Sequence, residues 1–258
     1  MRAFILTAVA VCVLPAAAQA QDFRWHGRIA PGKRVEVKGV NGDVRAIAAT
    51  GGEVEVTAAK HARRSDLEEV KIEVIEYEGG VTICAVYPTP RRARQENSCQ
   101  VGDSWHSSTE DNDVTVDFEV RIPAGVKFGG QTVNGEMSAE GLTADVSAST
   151  VNGSVRVTTT GLAEARTVNG SVYVEMGRAD WTNELEFSTV NGGLTLVLPP
   201  GLNTEVDAST VNGDLVTDYP MTISGRFGRR RMRGTIGSGG RSLSLSTVNG
   251  EIRLRKAT

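Results

Sequence analysis

Three groups of side chains in this sequence are capable of chemistry: clustered carboxylates, clustered arginines and a pair of cysteines. The carboxylates are Glu68-Glu69 and Glu110-Asp111 with Asp113. Two acids held several ångströms apart, one protonated and one ionised, cleave glycosidic bonds. These acids instead fall at a helix start and in a polar stretch, where solvated charge is the ordinary state. Asp103, Glu110, Asp111 and Asp113 lack the regular oxygen-ligand loop of a calcium site. His26, His61 and His106 are too far apart in sequence for zinc-ligand spacing. Gly237-Ser238-Gly239 does not have the G-x-S-x-G frame, and there is no phosphate-binding loop, dinucleotide fingerprint or H-E-x-x-H. The reading is a protein with no catalytic residues, no cofactor and no metal.

The arginines concentrate in "GRFGRRRMRG": Arg226, Arg229, Arg230, Arg231 and Arg233. A smaller group, Arg91, Arg92 and Arg94, lies between the cysteines. Forked guanidinium donors grip phosphates and carboxylates, so the larger group is the candidate contact for an anionic surface or partner, within an expected loop. The opposing reading is a solvated loop whose charges are screened. Cys84 and Cys99 form an even count in an exported chain and read as one disulfide; two free thiols are the alternative.

Export follows from the first twenty of the 258 residues. Arg2 supplies the positive start, "AFILTAVAVCVLPAAA" the apolar run, and Ala18-Gln19-Ala20 the cleavage site of a signal peptide. Cys12 follows Val11 rather than a small residue, which argues against a lipoprotein. No other stretch approaches the roughly 20 apolar residues that span a bilayer. After cleavage the chain carries 27 Lys and Arg against 31 Asp and Glu, a charge of −4 that argues against nucleic-acid binding.

The positions that carry these groups are set by a repeat. Val-Asn-Gly occurs seven times, at Asn41, Asn134, Asn152, Asn169, Asn191, Asn212 and Asn249, with Thr before the Val in all but the first. From Asn134 the gaps are 18, 17, 22, 21 and 37 residues, the last reading as two units with one corner unmarked. Gly141-Leu142, Gly161-Leu162 and Gly201-Leu202 punctuate the intervals. Asn-Gly tolerates the positive φ of a type I′ turn, and flanks such as "SVRVT" alternate like half-buried strands. One unit is therefore two short strands and two corners.

Two architectures use such a unit, an antiparallel meander or sandwich and a β-solenoid. A meander needs any turn-former, whereas stacking at about 4.8 Å rewards identical residues. Asparagine amides then bond up a ladder, expected to be buried, and valine methyls interdigitate. The all-β solenoid is the preferred reading, with a corner ladder of Asn134, Asn152, Asn169, Asn191, Asn212 and Asn249.

Residues 21–123 read as a β-rich module, with the disulfide loop, that caps the open end of the repeat solenoid formed by 124–258. Within it, Ser65-Asp66-Leu67-Glu68 resembles a capping box. Pro88 to Asp113 is polar and strandless. Trp25 and Trp105 fall in loop-like contexts, and Trp181 covers the side of the stack.

The repeated "STVNG", the segment "VRIPAGVKF" and the ending "RSLSLSTVNGEIRLR" resemble the bacterial DUF4097 family, from about Lys33 to Lys256. That resemblance implies a β-solenoid-like fold, a cell-envelope location, periplasmic or exterior, and an adhesin label, with no catalytic residues to carry over. The function expected is a binding or adhesion surface for an envelope glycan or anionic surface. The alternatives are a periplasmic accessory of an envelope-stress system touching a membrane sensor, and a carbohydrate-active β-helix enzyme.

Overall fold

Alternation in short runs decides the local structure. Val155-Arg156-Val157 and Ala163-Glu164-Ala165 bury their apolar members and expose Arg156 and Glu164, as period-2 strands with one face on a core do. The computed structural model describes residues 22–102, 105–223 and 230–257. The signal peptide, Cys12, Asp103, Arg226 and Arg229 lie outside the described residues.

The chain opens with β1 (Asp22–Gly27), β2 (Arg34–Lys38), β3 (Val44–Ala48), β4 (Val54–His61) and β5 (Lys71–Tyr77). It continues through β6 (Gly80–Val86), β7 (Thr115–Ile122), β8 (Lys127–Gln131), β9 (Met137–Leu142) and β10 (Val146–Ser149). Next come β11 (Val155–Thr159), β12 (Ala163–Arg166), β13 (Val172–Met176), β14 (Leu185–Ser188) and β15 (Leu194–Leu198). The last are β16 (Thr204–Ser209), β17 (Leu215–Thr217), β18 (Met221–Ile223), β19 (Arg231–Ile236), β20 (Arg241–Ser246) and β21 (Ile252–Lys256).

These strands make two sheets, ordered β1-β4-β7-β3-β9-β11-β13-β15-β21-β17 and β5-β6-β2-β8-β10-β12-β14-β20-β16-β19-β18. From β7 to β17 and from β6 to β16 all pairing is parallel; β1, β4, β5, β18 and β19 pair antiparallel at the ends. The chain thus passes from one sheet to the other at every corner, making solenoid rungs rather than hairpins. Between the sheets lies a core of small aliphatic side chains, among them Val157, Ala165, Val174, Leu196 and Leu245.

The structure departs from expectation in four places. The corners are not type I′ turns: Asp111 is the sole non-glycine with positive φ among the described residues. A chain that crosses between sheets does not need the reversal that demands left-handed Asn. Second, the expected boundary near residue 123 falls within continuous sheets, because β2 and β3 flank Asn41 as a rung paired with β8 and β9. Third, the 37-residue gap holds the hairpin β18–β19 rather than an unmarked corner, and the rung that follows it is out of order. β20 lies between β14 and β16, and β21 between β15 and β17. Fourth, Trp25 is in strand β1, not a loop.

One short 3-10 turn, Leu67–Glu69, stands where the helix start is expected. Its cap is Asp66, whose carboxylate accepts from the Glu68 N–H at 3.0 Å, rather than Ser65.

Candidate functional site

Each corner residue has one task. The threonine is buried, and its hydroxyl donates to the corner glycine carbonyl of the neighbouring rung. Thr150 Oγ1 reaches Gly135 O at 2.9 Å, Thr167 reaches Gly153 O at 2.8 Å and Thr189 reaches Gly170 O at 2.8 Å. The asparagine side chains form a continuous ladder, each Nδ2 donating to the next Oδ1 at 2.7–2.8 Å. The ladder runs Asn212, Asn249, Asn191, Asn169, Asn152, Asn134 and on to Asn41, which the sequence reading leaves out. The glycine is required by close approach: a Cβ on Gly153 would stand 2.0 Å from the Gly135 carbonyl oxygen, and Gly170 and Gly192 repeat this.

One expectation about the corners needs correction. The ladder asparagines from Asn134 onward are exposed, and the buried polar member is threonine. The corner valines reach the surface as well: Val151, Val168, Val190 and Val248 are each 38% exposed. The corner turns its hydroxyl inward, onto the neighbouring glycine carbonyl, and its valine outward.

The second feature is the outer face of the β10-containing sheet. In successive strands, Gln131, Ser149, Arg166, Ser188, Ser246 and Ser209 stand as Cα partners in one row. Beside it run Gly129, Ser147, Glu164 and, further along, Glu186, Ser244 and Asp207. The face is polar and mostly short-chained.

One end of that face is covered. The Cys84–Cys99 disulfide fastens the loop after β6 onto the outer side of β6 and β2. Beneath the loop lie Glu36 and Lys38, both buried. Lys38 Nζ donates to the carbonyls of Gln100, at 2.7 Å, and Gly102. Glu36 accepts from Thr82 Oγ1 at 3.0 Å and from the Gly102 N–H at 3.2 Å, and its carboxylate is 3.2 Å from Arg34 Nε. Arg34 extends over Gly129 and donates to Ser147 Oγ. A buried charge needs such partners; these tie the loop to the sheet.

The arginine group splits. Arg230 is exposed, whereas Arg231 and Arg233 stand on β19, not in a loop. Both pair with Asp207, at 3.1 and 2.6 Å, leaving one net positive charge from three groups. Burial raises the Asp207 carboxyl pKa, but hydrogen bonds from Arg233 and Arg231 outweigh it and hold the group below its usual range. Arg91, Arg92 and Arg94 are exposed in the disulfide loop.

Of the carboxylates, Glu69, Glu110 and Asp111 line one open groove together with Glu73, Lys71 and Arg91. Glu68 and Glu69 lie within the 3-10 turn, and all four of Glu68, Glu69, Glu110 and Asp111 are exposed. Asp113 is a structural acceptor: the Ser65, Arg64 and Arg63 N–H groups donate to it at 2.8–3.4 Å. Those bonds, Ser65 foremost, pull its pKa to about 2. Among the described residues no three His, Cys, Asp or Glu side chains are grouped to hold a metal, and no helix is long and apolar enough to cross a membrane. A shallow groove of about 250 Å³ runs beside Trp181, lined by Arg34, Lys127, Asp145 and Glu164. Trp181 itself is buried, its indole N–H donating to Ser242 O at 3.0 Å. Trp105 is half-buried against the core.

Rungs of about twenty residues, joined by a Thr-Asn-Gly column and closed by antiparallel strands, define an all-β, solenoid-like repeat protein. The family profile described as Toastrack DUF4097 matches residues 32–255, and the chain belongs to that family. Three crystal structures are similar at low identity. A candidate cell adhesion protein from Clostridium sporogenes shares 11% identity, with 92% of this chain and 100% of that one covered and a TM-score of 0.48. A candidate adhesin from Bacteroides fragilis shares 10%, with 92% and 97% covered and a TM-score of 0.37. A candidate adhesin from Parabacteroides distasonis shares 9%, with 93% and 98% covered and a TM-score of 0.26. No curated protein matches the chain.

Proposed function

We propose that this protein is an exported, non-enzymatic component of a bacterial envelope that works as a binding surface for an extended, regularly repeating polar polymer, an envelope glycan. One observation carries the reading: the row of Gln131, Ser149, Arg166, Ser188, Ser246 and Ser209 offers short polar groups at the regular spacing of parallel strands. Hydroxyls in line suit a ligand whose own hydroxyls repeat, and the continuous row suits a chain lying along it. Its neutral members favour hydrogen bonding over charge as the main attraction. The signal-peptide pattern supports the envelope as its location, and the solvated or structural carboxylates support binding without turnover.

Capture from a solubilised envelope extract tests this. The protein is expected to enrich glycan, and a variant with Ser188→Tyr and Ser246→Tyr is expected to lose it while melting at an unchanged temperature. Enrichment of one membrane protein instead would favour the sensor-accessory role, and release of sugar products from a polysaccharide panel would make the protein an enzyme.

A further inference from the structure

The last rung of the chain is enclosed by earlier ones. β20 and β21 lie between β14–β15 on one side and β16–β17 on the other, so β16 pairs with β20 and β19 but not with β14. β16 and β17 are therefore strand-paired into the stack through residues 241–256, while the Tyr219 hydroxyl donates directly to Leu198 O at 2.8 Å. The chain enters this slot by crossing the start of β16 at Gly237-Ser238-Gly239-Gly240. Gly237, Gly239 and Gly240 have φ of +61°, +72° and +107°, and Asn203 Oδ1 accepts from the Ser238 N–H at 2.8 Å.

The slot recognises its occupant through the corner bonds common to the repeat. Thr247 Oγ1 donates to Gly192 O and Thr210 Oγ1 to Gly250 O, both at 3.0 Å. Asn249 donates to Asn191 at 2.7 Å and accepts from Asn212 at 2.8 Å. None of these bonds depends on which copy of the chain supplies the segment. Charge adds attraction. Residues 241–256 hold four Lys and Arg against one acid, Glu251, while residues 124–220 hold four against twelve, a net charge of −8. Opposite charge of this kind speeds encounter between molecules as well as within one.

We propose that residues 241–256 are a donor unit and that the partner fitting the slot is the same segment of a second copy, giving a reciprocal strand-exchanged dimer. The glycine bridge Gly237–Gly240 is the hinge: opened, it lets β20 and β21 leave one stack and complete another with every corner bond kept. Closed on its own chain, the segment has the advantage of high effective concentration, so the dimer forms at high protein concentration and, because the slot is enclosed, persists on dilution.

Paired cysteines test this. Ser188 and Ser246 are Cα partners across β14 and β20, whereas Ser149 lies on β10, two strands beyond β14. A single chain with Ser188→Cys and Ser246→Cys, purified without unfolding, should close the bond internally; failure removes the slot and the proposal with it. Chains with Ser188→Cys alone and Ser246→Cys alone are then unfolded in denaturant, refolded together at high concentration and oxidised. A covalent 188–246 dimer is expected, mapped by mass spectrometry, with no more than a tenth as much from a Ser149→Cys and Ser246→Cys mixture. Equal yields from both mixtures, or no covalent dimer, would overturn the exchange. Should the variants not refold, wild-type protein concentrated and then diluted gives the reading: dimer surviving dilution for hours supports exchange, and a monomer mass throughout overturns it.

Discussion

The middle of the stack and its N-terminal end solve the same problem differently. From β8 to β15 each rung meets a nearly identical rung, and one set of corner bonds serves every time. Beyond the β2–β3 rung there is no like neighbour to lean on. There the chain adds antiparallel β1, β4 and β5, a loop fastened by Cys84–Cys99, a buried Glu36–Lys38 pair and the buried Tyr87 hydroxyl donating to Val114 O at 2.8 Å. Repetition builds an interior cheaply in sequence terms, but an end needs a unique construction to avoid offering open strand edges.

Breaking the end should have the largest effect. Replacing Cys84 and Cys99 by serine reopens a loop spanning 15 residues, a loss of about 3 kcal/mol in the loop-entropy account. Thermal unfolding should fall accordingly, with faster hydrogen exchange in β2 and β6 and little change in β11 to β15. In the middle, Gly153→Ala forces a methyl toward the Gly135 carbonyl and should cost about 2 kcal/mol, read from denaturant midpoints.

A finer test contrasts two residues of one corner. Thr150→Val keeps the buried volume but leaves the Gly135 carbonyl without its hydroxyl donor, for a loss of about 1 kcal/mol. Asn152→Ala removes an exposed rung of the ladder and should cost about half as much. Equal losses, or a larger one at Asn152, would reverse the roles assigned to the two side chains. The smallest effect is expected at acid pH. Asp113 has its folded-state pKa lowered from 3.8 to about 2, so its contribution is full above about pH 4 and disappears as pH falls toward 2. Asp113→Asn should flatten the melting-temperature curve across that window alone.

The stacking is legible in the sequence because a bend that meets its own copy is written with the same letters. Thr-Val-Asn-Gly therefore announces the column, and alternation around it announces the strands. Asn41 escapes because Gly39 stands where threonine usually does and 93 residues separate it from its ladder neighbour. The displaced last rung escapes for the opposite reason: Asn249 bears the same corner as Asn212, so nothing in the letters says which follows Asn191. Exposure of the asparagines was hidden too, since a polar residue between buried strands reads alike whether it points inward or along the edge. The arginine group is visible as composition, but its pairing with Asp207 depends on β19 lying antiparallel beside β16.

Amide hydrogen exchange at the corners tests the stacked column most directly. The N–H groups of Asn152, Asn169 and Asn191 donate to Val133, Val151 and Val168 carbonyls at 2.7–2.8 Å. They should exchange as one slow block, at the rate set by global unfolding, although they sit at an exposed edge. Exchange at the rates of solvent-exposed turns, or rates that differ widely from corner to corner, would contradict the column.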